Sequence, residues 1–361
     1  MKILYLGDIG PGQTCRMRMR ALERLGHDVV GVDTVKPWKT ARWWTRQVQR
    51  RRQKGSIVDS INRQVLAAGD AFRPELVWAD KQEYLRPDTL SALKGFGARL
   101  LHFTPDPYFT LDWKRTALMD EALQAFDVLV FCKAYEMRAY EMLRRPLVYM
   151  PLGYCDETHR PLPSDDARWN CAVGFLGGWE PRRERLLGAV AGAAFDLKIW
   201  GGYWEFLRDG AWSPRRQIVL SQLAGGERFA FHRNPPVAEA HQGGEVYDDD
   251  YARALTGSRI GLGLLRKVCP DQHTTRTFEI PACGSMLLAD RTPEHQEFFE
   301  EGVEAEFFDS EAELIDKLKF YANDEPARRR IAQAGLARGR RSGYSYVDRM
   351  RVALERVRRV A

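Results

Sequence analysis

Short apolar runs alternate along the chain with segments whose apolar residues recur at helical spacing. The first such unit begins with the apolar run Lys2–Leu6 and a glycine-rich loop. Thr14–Leu25 then has the spacing of an amphipathic helix, Gly26 follows it, and Val29–Val32 is the next apolar run. A strand, helix and strand in this order predict a parallel sheet covered by helices.

The same alternation continues and then restarts after a break. Further strands of the first half are predicted at Leu76–Trp78, Arg99–Phe103, Val128–Phe131 and Leu147–Met150. The Pro-rich stretch Arg160–Asp166 has the composition of a linker. Beyond it, a strand at Ala172–Leu176 leads into a helix that begins at Pro181. We therefore predict an α/β fold with one Rossmann-like domain over residues 1–158 and another over 159–335, followed by a C-terminal helix in 336–361 that crosses back to the first domain.

The second half also carries local signals for loops and helix ends. Gly201–Tyr251 is rich in Gly and poorly periodic, which predicts a long, partly irregular insertion between strands at Asp196–Trp200 and Ile260–Leu265. Thr292 is predicted to cap one helix that ends before Gly302, and Ser310 with Glu313 forms a capping box for the next. The last two helices are predicted at Pro326–Ala337 and Tyr346–Val360.

Composition narrows the class of protein. A chain of 361 residues with 44% hydrophobic and 29% charged residues is typical of a globular protein with two domains. The N-terminus has no signal-peptide pattern. The sequence contains no run of about 18 apolar residues, so no membrane-spanning helix is predicted. The six cysteines form no C-x-x-C pair, which argues against disulfides and a zinc site and favours a cytoplasmic location. The net charge of +6 is concentrated in Arg42–Lys54 and Arg328–Arg359.

The segment Asp271–Asp290 predicts a cradle for a phosphate and a ribose. A polar loop containing Thr274 and Thr275 runs into a short helix with Arg276 and Glu279, which Gly284 ends before an apolar strand. Free N–H groups at a helix start and an arginine can bind a diphosphate, and a carboxylate one turn later can accept ribose hydroxyls. The same pattern is also typical of an ordinary loop, helix and strand that bind no ligand.

Other candidates also lie where predicted strands end. Ligands of open α/β sheets collect at the carboxyl ends of the strands. Gly177 and Gly178 there let a ligand approach the backbone, and Arg182 and Arg183 suit phosphate oxygens. The alternative is that these two arginines belong to the solvent-exposed basic face of a helix and bind no ligand.

The first half offers its own groups at strand ends. Gly10 and Gly12 lie in the first loop, Lys81 follows the Leu76–Trp78 strand, and His102 and Asp106 surround Phe103-Thr104-Pro105. His102 or Asp106 could act as a general base on an acceptor hydroxyl or stabilise charge on a departing sugar. The alternatives are a hydrogen-bonded histidine at a strand end and a turn aspartate. The glycine spacing departs from G-x-G-x-x-G, which disfavours a dinucleotide site.

The segment Arg42–Arg52 interleaves aromatic and cationic residues. Trp suits interfaces, and Arg attracts lipid head groups or nucleic-acid phosphates, so a peripheral membrane or DNA contact is one interpretation. A surface helix with Trp43 and Trp44 partly packed is the simpler one.

The stretch Arg276-x-Phe278-Glu279-Ile280-Pro281-Ala282-Cys283-Gly284-Ser285-x-Leu287-Leu288-Ala289 resembles the CgeB-like glycosyltransferases, named for a spore maturation protein. The resemblance is specific over about 260–349. It implies a GT-B architecture, with two Rossmann-like domains that face each other across a cleft. The nucleotide sugar would bind the C-terminal domain and the acceptor mainly the N-terminal one. No metal and no cofactor besides the donor substrate would be required.

The resemblance also implies roles for the candidate residues. In the wider retaining group an E-x7-E pair flanks the donor; Glu279 matches the second glutamate, and the first position holds Asp271. The predicted residues are grouped by role as follows: catalytic, Asp106, His102 and Asp271; donor-binding, Gly177, Gly178, Arg182, Arg183, Thr274, Thr275, Arg276 and Glu279; acceptor-side, Gly10, Gly12 and Lys81.

The hypothesis is a cytoplasmic glycosyltransferase, peripheral at the inner membrane face, that moves a sugar from a nucleoside diphosphate to a hydroxyl of a cell-surface glycan, protein or related polymer. A DNA-modifying glycosyltransferase acting on a modified base and a non-catalytic nucleotide-sugar or glycan-binding protein are the alternatives.

Overall fold

The chain folds into two compact units, each built around one parallel β-sheet. The structure is a computed structural model that describes residues 1–111, 114–209 and 233–360. Unit 1 comprises residues 1–152 and 346–361, and unit 2 comprises residues 153–345. The predicted α/β fold with two Rossmann-like halves is confirmed.

The first 152 residues of unit 1 alternate strands and helices. In chain order the elements are β1 Lys2–Gly7, α1 Thr14–Arg24, β2 Asp28–Asp33, α2 Lys36–Thr40, α3 Trp43–Arg52, α4 Ser56–Phe72, β3 Leu76–Asp80, α5 Pro87–Gly95, β4 Arg99–Thr104, α6 Ala117–Ala125, β5 Val128–Phe131, a 3₁₀ turn Ala134–Glu136, α7 Met137–Glu141 and β6 Leu147–Tyr149.

The sheet of unit 1 has the strand order β2-β1-β3-β4-β5-β6, and all neighbours pair in parallel. Every residue of Leu76–Asp80 and of Val128–Phe131 is buried. Parallel strands covered by helices on both faces read as continuous apolar runs, which explains why these strands were visible in the sequence. All six strands end at one carboxyl edge, where Asp8, Lys81 and the Pro105-Asp106 segment follow β1, β3 and β4.

In unit 2 the elements are β7 Cys171–Leu176, α8 Pro181–Gly192, β8 Leu197–Trp200, α9 Phe206–Asp209, α10 Pro235–Ala240, α11 Asp248–Gly257, β9 Ser258–Gly263, α12 Arg276–Ala282, β10 Met286–Asp290, α13 Pro293–Phe298, β11 Glu306–Phe308, α14 Glu311–Asn323 and α15 Glu325–Arg341. The final helix, α16 Tyr346–Arg359, belongs to unit 1.

Helix α16 packs on α1 and β6 of unit 1. Its buried residues Tyr346, Met350 and Leu354 recur at helical spacing and so form one apolar stripe. The buried Arg18 guanidinium lies 5.4 Å from the centre of the Tyr346 ring and donates a hydrogen bond of 2.6 Å to the buried Asp80 carboxylate. This ion pair lies beneath the carboxyl edge of the sheet.

The sheet of unit 2 has the order β11-β10-β9-β7-β8, again with parallel neighbours. The predicted caps at Thr292 and Ser310 are confirmed, because each hydroxyl accepts the N–H of the residue three positions later. Gly284 ends α12 with a φ of +81°, as predicted. The helix capped by Thr292 ends at Phe298, before Gly302 as predicted, and Gly302 lies in the turn that follows.

The structure gives the extent and content of two other predicted segments. The helix predicted at Pro326–Ala337 extends over Glu325–Arg341. The segment Gly201–Tyr251, predicted to be a partly irregular insertion, contains α9 and α10 and the start of α11; its residues 210–232 lie outside the described part of the chain.

Within residues 1–111, 114–209 and 233–360, no helix is long and apolar enough to cross a bilayer. Over the same ranges, no group of three or more His, Cys, Asp or Glu residues is placed to hold a metal ion. All six cysteines are buried free thiols.

Candidate functional site

The carboxyl edge of the unit 2 sheet is built on two glycine turns in backbone contact. Gly177 follows β7 and Gly201 follows β8, and Gly201 has a φ of +146°. A Cβ atom on Gly201 would lie 2.1 Å from the Gly177 carbonyl oxygen, so only glycine fits here. The indole of Trp204 donates to that same oxygen at 2.8 Å, and the Trp179 N–H donates to the Gly202 carbonyl at 3.1 Å. The strand ends are therefore held in one fixed arrangement.

Arg183 lies beneath this edge with its guanidinium bound to backbone carbonyls. It donates to Gly178 O at 3.0 Å and to Leu264 O at 2.9 Å. Burial, together with the positive charges of Arg266 and Arg276, lowers the pKa of Arg183 to about 9. Arg183 remains a cation at neutral pH. Arg183, Arg266 and Arg276 thus lie close enough at this edge for their charges to act on one another, an arrangement that suits an anionic ligand.

Arg182 has a different environment from Arg183. Its guanidinium forms a two-pronged ion pair with Asp290 at the end of β10, with 3.1 Å between Nη1 and Oδ2. The Asp290 carboxylate also accepts the Leu265 N–H at 2.7 Å. Arg182 is thus engaged with a carboxylate, and its predicted contact with a diphosphate would require it to leave that pair.

The start of α12 differs from the expectation of free backbone N–H groups. The N–H of Thr277 donates to Thr274 O at 3.2 Å, and those of Phe278 and Glu279 donate to Thr275 O at 2.9 Å. These three amides are therefore engaged within the chain. The positive charge comes instead from the Arg276 side chain, whose Nε donates to Leu176 O at 3.0 Å and thereby joins α12 to the end of β7.

The polar loop before α12 is anchored on α13. His273 pairs with Glu294, the Thr277 hydroxyl bonds His295 at 2.8 Å, and the Thr292 hydroxyl donates to Gln272 O at 2.7 Å. Burial lowers the pKa of His295 to about 4. Thr274, Thr275 and Asp271 lie on the partly exposed side of this anchored loop.

Glu279 is a buried carboxylate that is oriented by several neighbours. The Tyr251 hydroxyl donates to Oε2 at 2.5 Å, and His159 Nε2 lies 3.7 Å from Oε1. Arg276 Nε lies 4.0 Å from Oε2. Burial raises the pKa of Tyr251 well above its usual value, so its hydroxyl keeps the proton that it donates. A fixed carboxylate thus lies directly beside a cation.

The protonation of His159 follows from its hydrogen bonds. Nδ1 accepts the Cys155 N–H at 2.9 Å, which places the ring proton of a neutral imidazole on Nε2, the atom that faces Glu279. Burial lowers the pKa of His159 and so favours this neutral form. His159 and Tyr251 therefore orient the Glu279 carboxylate without neutralising it.

Sequence reasoning missed Tyr251, His159 and Arg266. Tyr251 is the last residue of the predicted insertion and His159 the first residue of the second predicted domain, and their proximity to Glu279 is produced by the tertiary fold. Arg266 had a usable signal, because it directly follows the apolar run of a predicted strand and so had to lie at the carboxyl edge.

The carboxyl edge of unit 1 carries a more exposed cluster around Asp106. The ammonium groups of Lys81 and Lys114 lie 2.5 Å and 2.8 Å from Asp106 Oδ2. Burial would raise the pKa of Asp106, but the two lysines outweigh this effect and hold it well below its usual range. Lys81 itself has a φ of +55°, which is rare for a residue with a side chain. Such a carboxylate is a poor proton acceptor but a stable negative charge.

His102 lies beneath the same edge, almost completely buried. Its Nδ1 bonds the Thr104 hydroxyl at 2.9 Å, and its Nε2 lies 3.2 Å from the Gln82 N and 3.0 Å from the Gln82 O. Burial lowers the pKa of His102 to about 4, which leaves the imidazole neutral at pH 7. His102 and Asp106 both line a small cavity together with Lys81, Lys114 and Glu83.

The first loop of unit 1 is closed by its own residues. The Gly10 N–H donates to Asp8 Oδ1 at 3.3 Å, and Lys39 lies 2.9 Å from both Asp8 oxygens. Gly12 has a φ of +71°, which a turn before α1 requires. The structure thus places Gly10, Gly12, Lys81 and Asp106 in the loops at one edge of one sheet.

Comparisons with known proteins bear on both units. Residues 182–355 match the model of a family described as glycosyl transferase-like. This stretch includes every predicted donor-binding residue except Gly177 and Gly178. No curated protein sequence matches the chain.

Solved structures with a similar fold cover nearly the whole chain. Anabaena Alr3699/HepE in complex with UDP-glucose has 12% identity and a TM-score of 0.61, with 99% of this chain and 100% of that chain covered. Sucrose-phosphate synthase from Thermosynechococcus elongatus has 12% identity and a TM-score of 0.63, with 100% and 99% covered. An α,α-trehalose-phosphate synthase (UDP-forming) from Burkholderia xenovorans has 11% identity and a TM-score of 0.60, with 99% of each chain covered. The fold is that of the GT-B glycosyltransferases.

Proposed function

We propose that this protein is a glycosyltransferase that moves a sugar from a nucleoside diphosphate to a hydroxyl acceptor, with the donor held by unit 2. The family match over residues 182–355 and the GT-B fold support a nucleotide-sugar glycosyltransferase. The solved structure of HepE, which shares the fold, is a complex of that protein with UDP-glucose. UDP is therefore the first ligand to test. The residues that resemble the CgeB-like group fall inside the matched stretch, and membership of that group stays a prediction.

The observation that carries the proposal is the pairing of a fixed carboxylate with a cationic edge. Glu279 is held by Tyr251 at 2.5 Å and lies 4.0 Å from Arg276. A nucleoside diphosphate presents ribose hydroxyls beside two phosphates, which require an acceptor and cations at neighbouring points. In our proposal Glu279 accepts the ribose hydroxyls, and Arg276 and Arg266 bind the diphosphate with Arg183 contributing charge from beneath.

Because arginines would neutralise the diphosphate, we propose that transfer needs no metal ion. On the acceptor side, the charge state of Asp106 favours electrostatic stabilisation over proton abstraction. We propose that Lys81 and Asp106 position the acceptor hydroxyl or stabilise charge on the departing sugar, and that Asp271 contacts the donor sugar.

Calorimetric titration of the protein with UDP tests the donor site. Glu279→Gln keeps the shape of the side chain and can still accept from Tyr251, but it removes the charge. We expect UDP binding to weaken by about 10- to 100-fold, since hydrogen bonds to charged groups contribute about 1.5–3 kcal/mol. Tyr251→Phe leaves the carboxylate and removes its orienting donor, and should weaken binding by about fivefold.

Glu297→Gln is the matched control, because Glu297 is exposed on α13 and should leave the affinity unchanged. Equal affinities of the wild type and Glu279→Gln would remove the proposed donor site.

A non-catalytic nucleotide-sugar-binding protein is the second candidate. Two observations favour it: Asp271 stands where a retaining enzyme has glutamate, and both ring nitrogens of His102 are engaged. Release of UDP from UDP-sugars by the purified protein in EDTA, lost in Asp106→Ala but retained in Asp70→Ala, would exclude this candidate. Binding of UDP with no release from any UDP-, GDP- or dTDP-sugar would establish it.

A further inference from the structure

The segment between Thr34 and Val58 has an extreme charge bias. It contains eight Lys and Arg residues and no Asp or Glu. Helix α3 lies in this segment and ends with Arg50, Arg51 and Arg52. Cations in the last turn interact favourably with the helix dipole. The excess of positive charge, however, extends well beyond that turn, from Lys36 to Lys54.

Helix α3 also exposes large apolar side chains beside part of this charge, whereas the Arg50 guanidinium lies over the buried Trp38 ring, 5.4 Å from its centre. Trp44 is 57% exposed, Val48 45% and Trp43 44%, and none of the ten residues of the helix is buried. Trp44 and Val48 are one turn apart and therefore neighbours on the surface, with Arg51 following Val48 on the same side.

The other side of α3 is fixed to unit 1, so the exposed face has a defined direction. The Gln49 side chain accepts the Ile57 N–H at 2.8 Å and donates to the Ser56 hydroxyl at 3.0 Å, which ties α3 to the start of α4. Gln53, just beyond the helix, accepts the Leu118 N–H at 3.0 Å. The helix is thus held in place by its polar side while its tryptophans point outward.

We propose that α3 docks unit 1 on an anionic lipid bilayer. Tryptophan is favoured at the boundary between water and hydrocarbon, and arginines beside it attract anionic head groups. Duplex DNA would satisfy the arginines, but it offers no apolar layer for Trp44 and Val48, which is why we favour the bilayer. Helix α16 of the same unit is also basic, but its cations alternate with Asp348 and Glu355, and Arg351 pairs with Asp348.

The bilayer would then lie beside the candidate acceptor groups. Helices α2 and α3 follow the carboxyl end of β2, and Lys81 and Asp106 follow the carboxyl ends of β3 and β4 in the same parallel sheet. An acceptor presented at a membrane surface would thus meet this edge. The docking itself does not depend on the proposed function, whereas this link to the acceptor rests on it.

Sedimentation with vesicles tests the docking. The full-length protein should bind vesicles of equal parts phosphatidylglycerol and phosphatidylcholine, bind phosphatidylcholine alone far more weakly, and be released by salt. Replacing Arg50, Arg51 and Arg52 together with Gln should weaken binding about 100-fold, since each cation near an anionic surface contributes about 1 kcal/mol. Trp44→Ser should weaken it about tenfold, and its tryptophan fluorescence change on binding should be smaller.

Controls of the same chemistry are available on unit 2. Arg329, Arg330 and Arg340 are exposed on α15, and replacing these three with Gln should leave vesicle binding within about twofold. Phe320, 55% exposed, gives the matched aromatic control Phe320→Ser. Circular dichroism and UDP titration of every variant separate loss of docking from loss of folding or of the donor site.

Three results would overturn the proposal: equal binding to anionic and neutral vesicles, an equal loss in the α15 variant, or no binding to vesicles at low salt. Binding of duplex DNA that Trp44→Ser leaves unchanged, without vesicle binding, would assign the segment to nucleic acid. Vesicle binding without UDP binding would retain the docking surface and reject the proposed donor site.

Discussion

The carboxyl edges of the two sheets each hold one prominent carboxylate, in opposite environments. The Glu279 side chain in unit 2 is 4% exposed and is oriented by a hydroxyl and a neutral imidazole. The Asp106 side chain in unit 1 is 33% exposed and lies between two ammonium groups. A neutral hydroxyl and a neutral imidazole orient Glu279, and its nearest cation, Arg276, lies 4.0 Å away, whereas two lysines within 2.8 Å compensate the charge of Asp106.

This difference indicates how each edge would recognise a ligand. A buried carboxylate with fixed partners acts through geometry, because it cannot move without losing hydrogen bonds in a low-dielectric environment. A cluster of exposed ions acts through charge, which water and salt screen and which rearranges at little cost. The edge of unit 2 therefore suits one defined ligand, and that of unit 1 suits a range of acceptors.

The largest effect should come from the glycine contact that shapes the unit 2 edge. Gly201→Ala would place a methyl group 2.1 Å from the Gly177 oxygen at a φ of +146°. Overpacking and backbone strain together should lower the free energy of unfolding of unit 2 by about 2–5 kcal/mol. Urea unfolding followed by tryptophan fluorescence measures this loss, and UDP titration should show the donor site damaged with it.

Two alanine variants serve as controls. Gly202→Ala meets no atom within 4 Å, and Gly10→Ala at the unit 1 edge meets only the ends of Asp8 and Lys39 and one Gln13 carbon. Both should change the free energy of unfolding by less than about 1 kcal/mol. A Gly201→Ala protein as stable as Gly202→Ala would show that the unit 2 edge is not rigid.

Acid should act on unit 1 mainly through His102 and on unit 2 mainly through His295, and His159, whose pKa burial also lowers, acts in the same direction in unit 2. The pKa values of His102 and His295 are lowered from 6.5 to about 4 by burial, so the unfolded chain takes up protons first as the pH falls. The contribution of each histidine to the free energy of unfolding is fully present above pH 6.5. About 3 kcal/mol for each histidine is lost as the pH falls from about 6.5 to 4. Urea unfolding across this pH window measures the loss.

Replacing one histidine at a time assigns the loss to a unit. His102→Gln should flatten the pH dependence for unit 1 and leave that of unit 2, and His295→Gln should do the reverse. The same slope in the wild type and in both variants would refute the assignment.

The smallest effect should be that of the exposed cluster of unit 1. Asp106→Asn removes a carboxylate that is a third exposed, so the free energy of unfolding should change by less than about 1 kcal/mol, and the difference should shrink in high salt. Asp70→Asn, which removes an exposed ion-pair partner of Arg73, is the control. If Asp106→Asn lowered the free energy of unfolding by more than about 2 kcal/mol at every salt concentration, Asp106 would be as tightly held as Glu279. The proposed difference between the two sheet edges would then be wrong.

Local features were predictable from the sequence because their causes are local. The buried parallel strands are continuous apolar runs, Thr292 and Ser310 cap helices through residues three positions away, and Gly284 marks a helix end by its positive φ. Gly302 marks the end of α13 less closely, since the helix ends at Phe298 and the backbone of Phe299 is already extended.

The candidate site was less predictable because its contacts join distant segments. Neighbouring arginines in one motif have different partners: Arg182 pairs with Asp290, 108 positions later, and Arg183 reaches backbone oxygens of Gly178 and Leu264. Tyr251 reaches Glu279 only through the packing of α11 against β7 and β9. No spacing rule contains these pairings.

The membership of α16 in unit 1 has a consequence for how the protein is made. A ribosome synthesises residues 153–345 after most of unit 1 and before α16, whose Met350 and Leu354 are buried there. Domains generally fold as their segments leave the exit tunnel. Unit 2 can thus complete its core while the nascent unit 1 still exposes the apolar surface that α16 will cover. Until translation reaches this helix, that apolar surface stays exposed and can associate with other nascent chains.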